Sequence, residues 1–206
     1  MTTVAIIGLG NMGKGLAGRL AGKADLVLGV RDPAANPDLA AFGAPVTTTA
    51  NAIAQADIVV LALPYAEALN VAASPALNGK IVVDLTNPVK PDFSGLSIGH
   101  STSAAEEIQK AAPGAKVVKA FNTIFAGLFA TPASATANVP VFVAGNDEAA
   151  VAAVAQLTET AGFKAEPVGG LDGARLVEPV GMLNIRFGYG LGKGTSIAPA
   201  WLNLAA

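Results

Sequence analysis

Short apolar runs recur along the chain at the spacing of buried strands, and between them the apolar positions shift to helical spacing. The first run, Val4, Ala5, Ile6 and Ile7, leads directly into Gly8, Leu9, Gly10, Asn11, Met12 and Gly13. Beyond that turn Leu16, Ala17 and Leu20 keep one helical face apolar, and Gly22 is placed to end the helix in a left-handed conformation. Further apolar runs predict strands at 26–30, 46–48, 58–63, 80–85, 117–121, 141–144 and 164–168. Helical patterns fall around 39–42, in a single turn capped by Asn51, and at 65–73, 103–112, 147–160 and 175–187. Ser103, Ala104, Ala105 and Glu106 have capping-box spacing, and Asp147 and Glu148 put carboxylates at the favourable end of a helix dipole.

Strands alternating with helices predict an α/β chain, a Rossmann-type doubly wound parallel sheet with a small C-terminal helical extension. The pattern changes near Gly169 and Gly170, which divides the chain into a nucleotide-binding unit, 1–169, and a segment, 170–206, too small to fold alone. Composition agrees with one core-rich unit: 206 residues, 52% hydrophobic and only 14% charged. A formal net charge of −2 argues against nucleic acid and anionic membranes as partners. No cysteine and a single histidine leave nothing for thiolate chemistry or a histidine-rich metal site. No run of eighteen apolar residues predicts a membrane span, and no basic segment precedes the first apolar run as in a signal peptide. A cytoplasmic protein is expected, and the low charge predicts a homodimer that buries an apolar patch.

The first turn carries the clearest chemistry. It reads G-x-G-x-x-G between a strand and a helix, the context in which that spacing binds a dinucleotide. The glycines serve a tight turn, backbone approach to a pyrophosphate and close helix–strand packing, while the helix start offers unpaired amides to the anion. At the end of the second strand stand Val30, Arg31 and Asp32. A guanidinium there suits a 2′-phosphate and so favours NADP; the alternative is a solvent-facing pair with Asp32. Other strand ends complete the crevice: Leu63, Pro64 and Tyr65; Asn87 and Pro88; Phe121, Asn122 and Thr123. Tyr65 is placed to wall a nicotinamide pocket, and Asn87 and Asn122 either bond a bound ring or serve as turn residues.

Acid–base candidates are weak. His100 lies in a Gly/Ser-rich loop without a neighbouring carboxylate, and Ser101, Thr102 and Ser103 lack a partner base. Lys119 lies within a strand, facing the site or snorkelling at an edge, and Arg175 and Glu178 have the spacing of an ion pair across one helical turn. Oxidising an alcohol needs a placed acid or base, whereas hydride exchange between a nicotinamide and a flavin-like ring needs mainly two rings held face to face. This chain suits the second case.

With these residues in view, the sequence resembles the NADP oxidoreductases dependent on the deazaflavin coenzyme F420. The resemblance rests on GLGNMGKGLAGRL, VRDP, ADIVVLALPY, KIVVDLTNPV, SAAEEI, VVKAFNTIFAGLF, VFVAGNDE and ARLVEPVGMLNIRFGYGLG, and spans almost the whole chain. It implies reversible hydride transfer between NADPH and a deazaflavin, usually in a homodimer; a related domain forms the NADPH–flavin module of membrane metalloreductases. Carried over, Gly8, Leu9, Gly10, Asn11, Met12 and Gly13 bind pyrophosphate, Arg31 the 2′-phosphate, and Pro64 and Tyr65 border the nicotinamide. Ala120, Phe121 and Asn122 line the cleft where the rings meet, and the helix at 182–187 closes it and helps form the dimer. Leu9 and Val30 stand where strongly NADP-selective members carry hydroxyls, and Ala35 near a second basic residue, which implies a weakened preference. Asn122 stands where archaeal members have histidine, and FMN or FAD are alternative acceptors. Competing readings are a nicotinamide sensor without turnover and a short β-hydroxyacid dehydrogenase; the 170–206 segment is too small for the helical domain of the latter.

Overall fold

The computed structural model describes residues 2–202 and residue 204. The chain opens with strand β1 (Thr3–Ile7), helix α1 (Asn11–Leu20) and strand β2 (Asp25–Val30). Two short 3-10 segments, Pro33–Ala35 and Pro37–Phe42, lead to β3 (Val46–Thr48) and α2 (Thr49–Gln55). Then follow β4 (Ile58–Leu61), α3 (Tyr65–Ala72), β5 (Ile81–Asp84), α4 (Ala104–Ala111) and β6 (Lys116–Lys119). A 3-10 turn (Ala126–Ala130), the single-turn α5 (Ala133–Thr136), β7 (Pro140–Gly145), α6 (Glu148–Thr160), β8 (Lys164–Pro167) and α7 (Ala174–Ile185) complete the order.

The eight strands form one sheet in the order β3-β2-β1-β4-β5-β6-β7-β8. Successive residues of β1 point to opposite faces, and both faces are buried. Val4 and Ile6 pack with Leu16 and Leu20 of α1 and Val154 and Leu157 of α6. Ala5 and Ile7 pack with Ile53 of α2, Ala68 of α3, Ile108 of α4 and Ala174 of α7. The chain leaves β1 toward β2 and β3, then returns to β4 on the other side, so the crevice opens at the carboxyl ends of β1 and β4.

The expected parallel sheet is largely present, with one reversal. β7 runs antiparallel to β6, pairing Val118 with Gly145 and Lys119 with Ala144. An antiparallel neighbour needs no crossover, and the β6–β7 connection instead packs along α1, with Leu128 and Phe129 in the core on that face. Two further expectations are corrected. β4 stops at Leu61, two residues early, because the chain turns there to let the glycine loop approach. α2 is capped by Thr48, whose hydroxyl accepts from the Asn51 amide; Asn51 lies inside the helix.

Arg19, on the buried side of α1, donates to the carbonyls of Leu128, Phe129, Thr131 and Ala161, and its guanidinium lies 5.3 Å from the Phe163 ring centroid. Carbonyl dipoles and an aromatic face thus take the place of a carboxylate. This fastens α1 to the 126–130 turn.

Candidate active site

The three glycines of the first turn have three different surroundings. Gly8 has φ +92°, and a Cβ there would lie 2.5 Å from the Ala62 carbonyl oxygen. A Cβ at Gly13 would lie 1.9 Å from the Gly8 carbonyl oxygen, so α1 reaches the sheet only without it. Gly10 faces open space, with no atom within 4 Å of a Cβ. The start of α1 has no side-chain cap and no acidic residue in its first turn. Amides that elsewhere meet a Ser, Thr or Asp oxygen are here left for an anion.

Arg31 is exposed at the end of β2. Asp32 does not pair with it: the Asp32 carboxylate accepts from the Ala34 amide at 3.0 Å and starts the next turn. Lys14, just after Gly13, meets Asp38 at 2.7 Å. Leu9 is half-buried against the core, and Leu63 lies under Gly8. Pro64 precedes α3, and Tyr65 begins it half-buried. Burial first, then the Glu107, Glu178 and Asp84 carboxylates, raise the Tyr65 phenol above its ordinary value, so it is a proton-bearing donor at neutral pH.

Opposite the glycine turn lies a cavity of about 270 Å³, lined among others by Asn11, Met12, Asn87, Phe121, Asn122 and, from the far side, Tyr189. Ala120 and Pro88 are buried behind this wall. Asn87 and Asn122 bond each other: Asn87 Nδ2 donates to the Asn122 carbonyl at 2.7 Å, and Asn122 Nδ2 donates to Asn87 Oδ1 at 2.9 Å. Asn122 Oδ1 and Thr123 Oγ1 are buried with no hydrogen-bond partner among the described residues. Phe121 sits at φ 63° with its ring wholly buried, edge-on to Phe163. A bulky residue held in left-handed backbone costs about 1–3 kcal/mol and is characteristic of functional sites.

α7 supplies the outer wall. Gly181 approaches so closely that a Cβ would lie 2.7 Å from Asn87 Oδ1, and Asn184 Nδ2 donates to the Thr123 carbonyl at 3.0 Å. The helix was expected at 175–187; it runs over Ala174–Ile185 and then widens into a π-helical turn, Arg186–Gly190. That turn sets Tyr189 edge-on to Phe125 at 5.4 Å. A second hollow, of about 780 Å³, continues outward past Met182, Ile185 and Tyr189 to exposed Phe93 and Leu191.

Beneath this wall lies a charge cluster that the sequence analysis did not assemble. Lys119 neither faces the crevice nor snorkels: its fully buried ammonium contacts Asp84 at 2.6 Å, Glu178 at 2.9 Å and the Thr86 carbonyl at 2.7 Å. Glu178 does not pair with Arg175 across one turn. It accepts instead from the Ala104 and Ala105 amides at the start of α4, and Arg175 pairs with Glu106. That partner and the Ser103 hydroxyl hold the Glu106 carboxyl below its ordinary value. The available signal was a single charge set among apolar residues in each of three segments, VVKAF, IVVD and LVEPVG. His100 is an exposed loop residue at φ 59°.

Comparison with known proteins agrees with this geometry. The family model described as NADP oxidoreductase, coenzyme F420-dependent, matches residues 3–88. A crystal structure of a candidate F420-dependent NADP reductase from Arthrobacter sp. FB24 superposes with a TM-score of 0.82 at 32% identity, covering 95% of this chain and 97% of that one. The F420-dependent NADP reductase of Methanothermobacter thermautotrophicus is 29% identical over 87% of this chain and 86% of its own length. The metalloreductase STEAP3 of Rattus norvegicus is 33% identical over 86% of this chain, which spans only 36% of the length of that relative. No helix among the described residues is long and apolar enough to cross a membrane. The chain belongs to the coenzyme F420-dependent NADP oxidoreductase family.

Proposed function

We propose that the protein passes hydride between NADP(H) and a flat redox ring, the deazaflavin F420 or a flavin such as FMN or FAD. One observation carries this reading: the side chains lining the cleft are apolar, amide, hydroxyl or phenolic, with no carboxylate, lysine, arginine or histidine among them. Such a cleft orients rings and excludes water but does not shuttle a substrate proton. When bound, NADPH supplies the hydride. The amides at residues 10–13, with Asn11 and Met12, would hold its pyrophosphate, and Arg31 its 2′-phosphate. Leu9, Leu63, Pro64 and Tyr65 would flank the nicotinamide side, with Asn87 and Pro88 at its edge. Ala120, Phe121 and Asn122 would back the second ring, whose polar edge would meet the unpartnered Asn122 and Thr123 oxygens.

The 170–206 segment closes this cleft in our reading, and the exposed Leu183, Phe187, Tyr189 and Leu191 form a homodimer contact of a cytoplasmic enzyme. The test mixes the protein with NADPH and, separately, F420, FMN and FAD, and follows NADPH absorbance. Oxidation with one of these acceptors supports the reading; tight NADPH binding with no oxidation by any of them replaces it with a nicotinamide sensor.

A further inference from the structure

The charge cluster and the cleft wall are built on the same three elements, one step apart. Asp84, Lys119 and Glu178 form a buried ionic layer contributed by β5, β6 and α7. Three residues further along each element stand Asn87, Asn122 and Gly181, which form the amide layer at the floor of the cleft. On α7 the offset of three residues is about one turn, so Gly181 follows Glu178 along the same side of the helix, while Asn87 and Asn122 lie just beyond the ends of β5 and β6. The ammonium donates to the Thr86 carbonyl and lies within ion-pair distance of both carboxylates. Asp84 Oδ1 also accepts from the Thr86 amide at 2.8 Å, which fixes the chain just before Asn87. Glu178 reaches past Lys119 to the start of α4, so α7 is fastened on two sides.

We infer that Lys119 and Glu178 are positioning residues for the hydride acceptor: they set the register of α7 against the strand ends and so preform the wall that receives the second ring. This rests on the proposed reading that a second ring enters the cleft. Neither side chain touches that ring. Their effect passes through Gly181, which tolerates no displacement toward Asn87, and through Asn184 and Tyr189 beyond it. A helix slipped by even a fraction of a turn would drive its backbone into the amide pair or open a gap at the ring. The pyrophosphate and 2′-phosphate ends of the proposed NADPH site are built on α1 and the end of β2, neither of which carries a member of this cluster.

The test compares Glu178→Gln, whose single amide oxygen can still accept from the Ala105 amide and Lys119 but not also from the Ala104 amide, with Glu178→Ala and Lys119→Met. Steady-state kinetics use NADPH with whichever of F420 or FMN the parent enzyme reduces, and amide hydrogen exchange is followed with NADPH bound. In Glu178→Ala and Lys119→Met the acceptor KM should rise about tenfold or more, with kcat within about threefold and the NADPH Kd within about twofold of the parent. Glu178→Gln, which keeps part of these contacts, should fall between the parent and Glu178→Ala in acceptor KM. Exchange should quicken across 177–190 and remain unchanged across 11–20. A parallel rise in NADPH Kd and acceptor KM would overturn the inference, as would unchanged exchange in α7. The exchange arm needs no turnover, so an enzyme that reduces no acceptor refutes the proposed function without deciding this point. If Lys119→Met does not fold, the Gln/Ala pair at Glu178 decides alone.

Discussion

Two helices begin at the carboxyl edge of the sheet and treat the same physical problem in opposite ways. Each presents unpaired amides and the positive end of a helix dipole. At α4 the protein supplies the anion itself: the Ser103 hydroxyl accepts from the Glu106 amide, and the Glu178 carboxylate accepts from Ala104 and Ala105. At α1 no side chain caps the helix and no acid stands in its first turn. The filled end is a structural joint, and the open end is, in the proposed reading, the pyrophosphate site. What separates them is the glycine loop, whose Gly10 leaves room for a ligand where a capping side chain would stand.

The comparison can be broken most forcefully at the filled end. Lys119→Met leaves Asp84 and Glu178 buried without their cation and should cost about 3–5 kcal/mol in urea unfolding, against stability changes near zero for substitutions at exposed Lys14. At the open end, Gly10→Val should leave stability within about 0.5 kcal/mol while weakening NADPH by about 10–100-fold in a fluorescence titration. Gly13→Ala makes the opposite prediction, a fold destabilised by about 1–3 kcal/mol, since its Cβ would meet the Gly8 carbonyl. Arg31→Ala should weaken NADPH by about 10–100-fold, the size of one or two lost charge-assisted bonds, and NADH hardly at all. Equal losses for both nucleotides would remove Arg31 from the 2′-phosphate.

The smallest effect concerns the joint's exposed rim. The Glu106 carboxyl is lowered first by the Arg175 guanidinium. A lowered folded value means that its contribution is complete at neutral pH and is lost as acid passes through the ordinary glutamate range and then the folded one. Arg175→Ala should therefore reduce the thermal midpoint slightly at pH 7 and leave it unchanged near pH 3. A reduction that persisted in acid would show that Arg175 acts through packing alone.

Much of the fold was legible because its signals are local. Alternating apolar runs and helical spacing located the strands and helices near their observed bounds, and the capping oxygens of Ser103 and Asp147 were readable from neighbours three residues away. Misplacements occurred where two local signals compete. Thr48 and Asn51 are both good caps, and Thr48 holds the cap because the preceding strand ends there. The direction of β7 was not readable, since a buried apolar run looks alike whichever way it points.

The sequence by itself determined the class of sheet, the glycine turn between β1 and α1 and the arginine at the end of β2, because each needs only residue type and short spacing. The tertiary structure alone decided which charges meet. Lys119 is 35 residues from Asp84 and 59 from Glu178 along the chain, and nothing local states that the three converge. It also decided that Asn87 and Asn122 would face each other and that Gly181 would sit against them. Such partnerships are set by strand order and helix packing, which follow from burying the whole core at once rather than from any one segment.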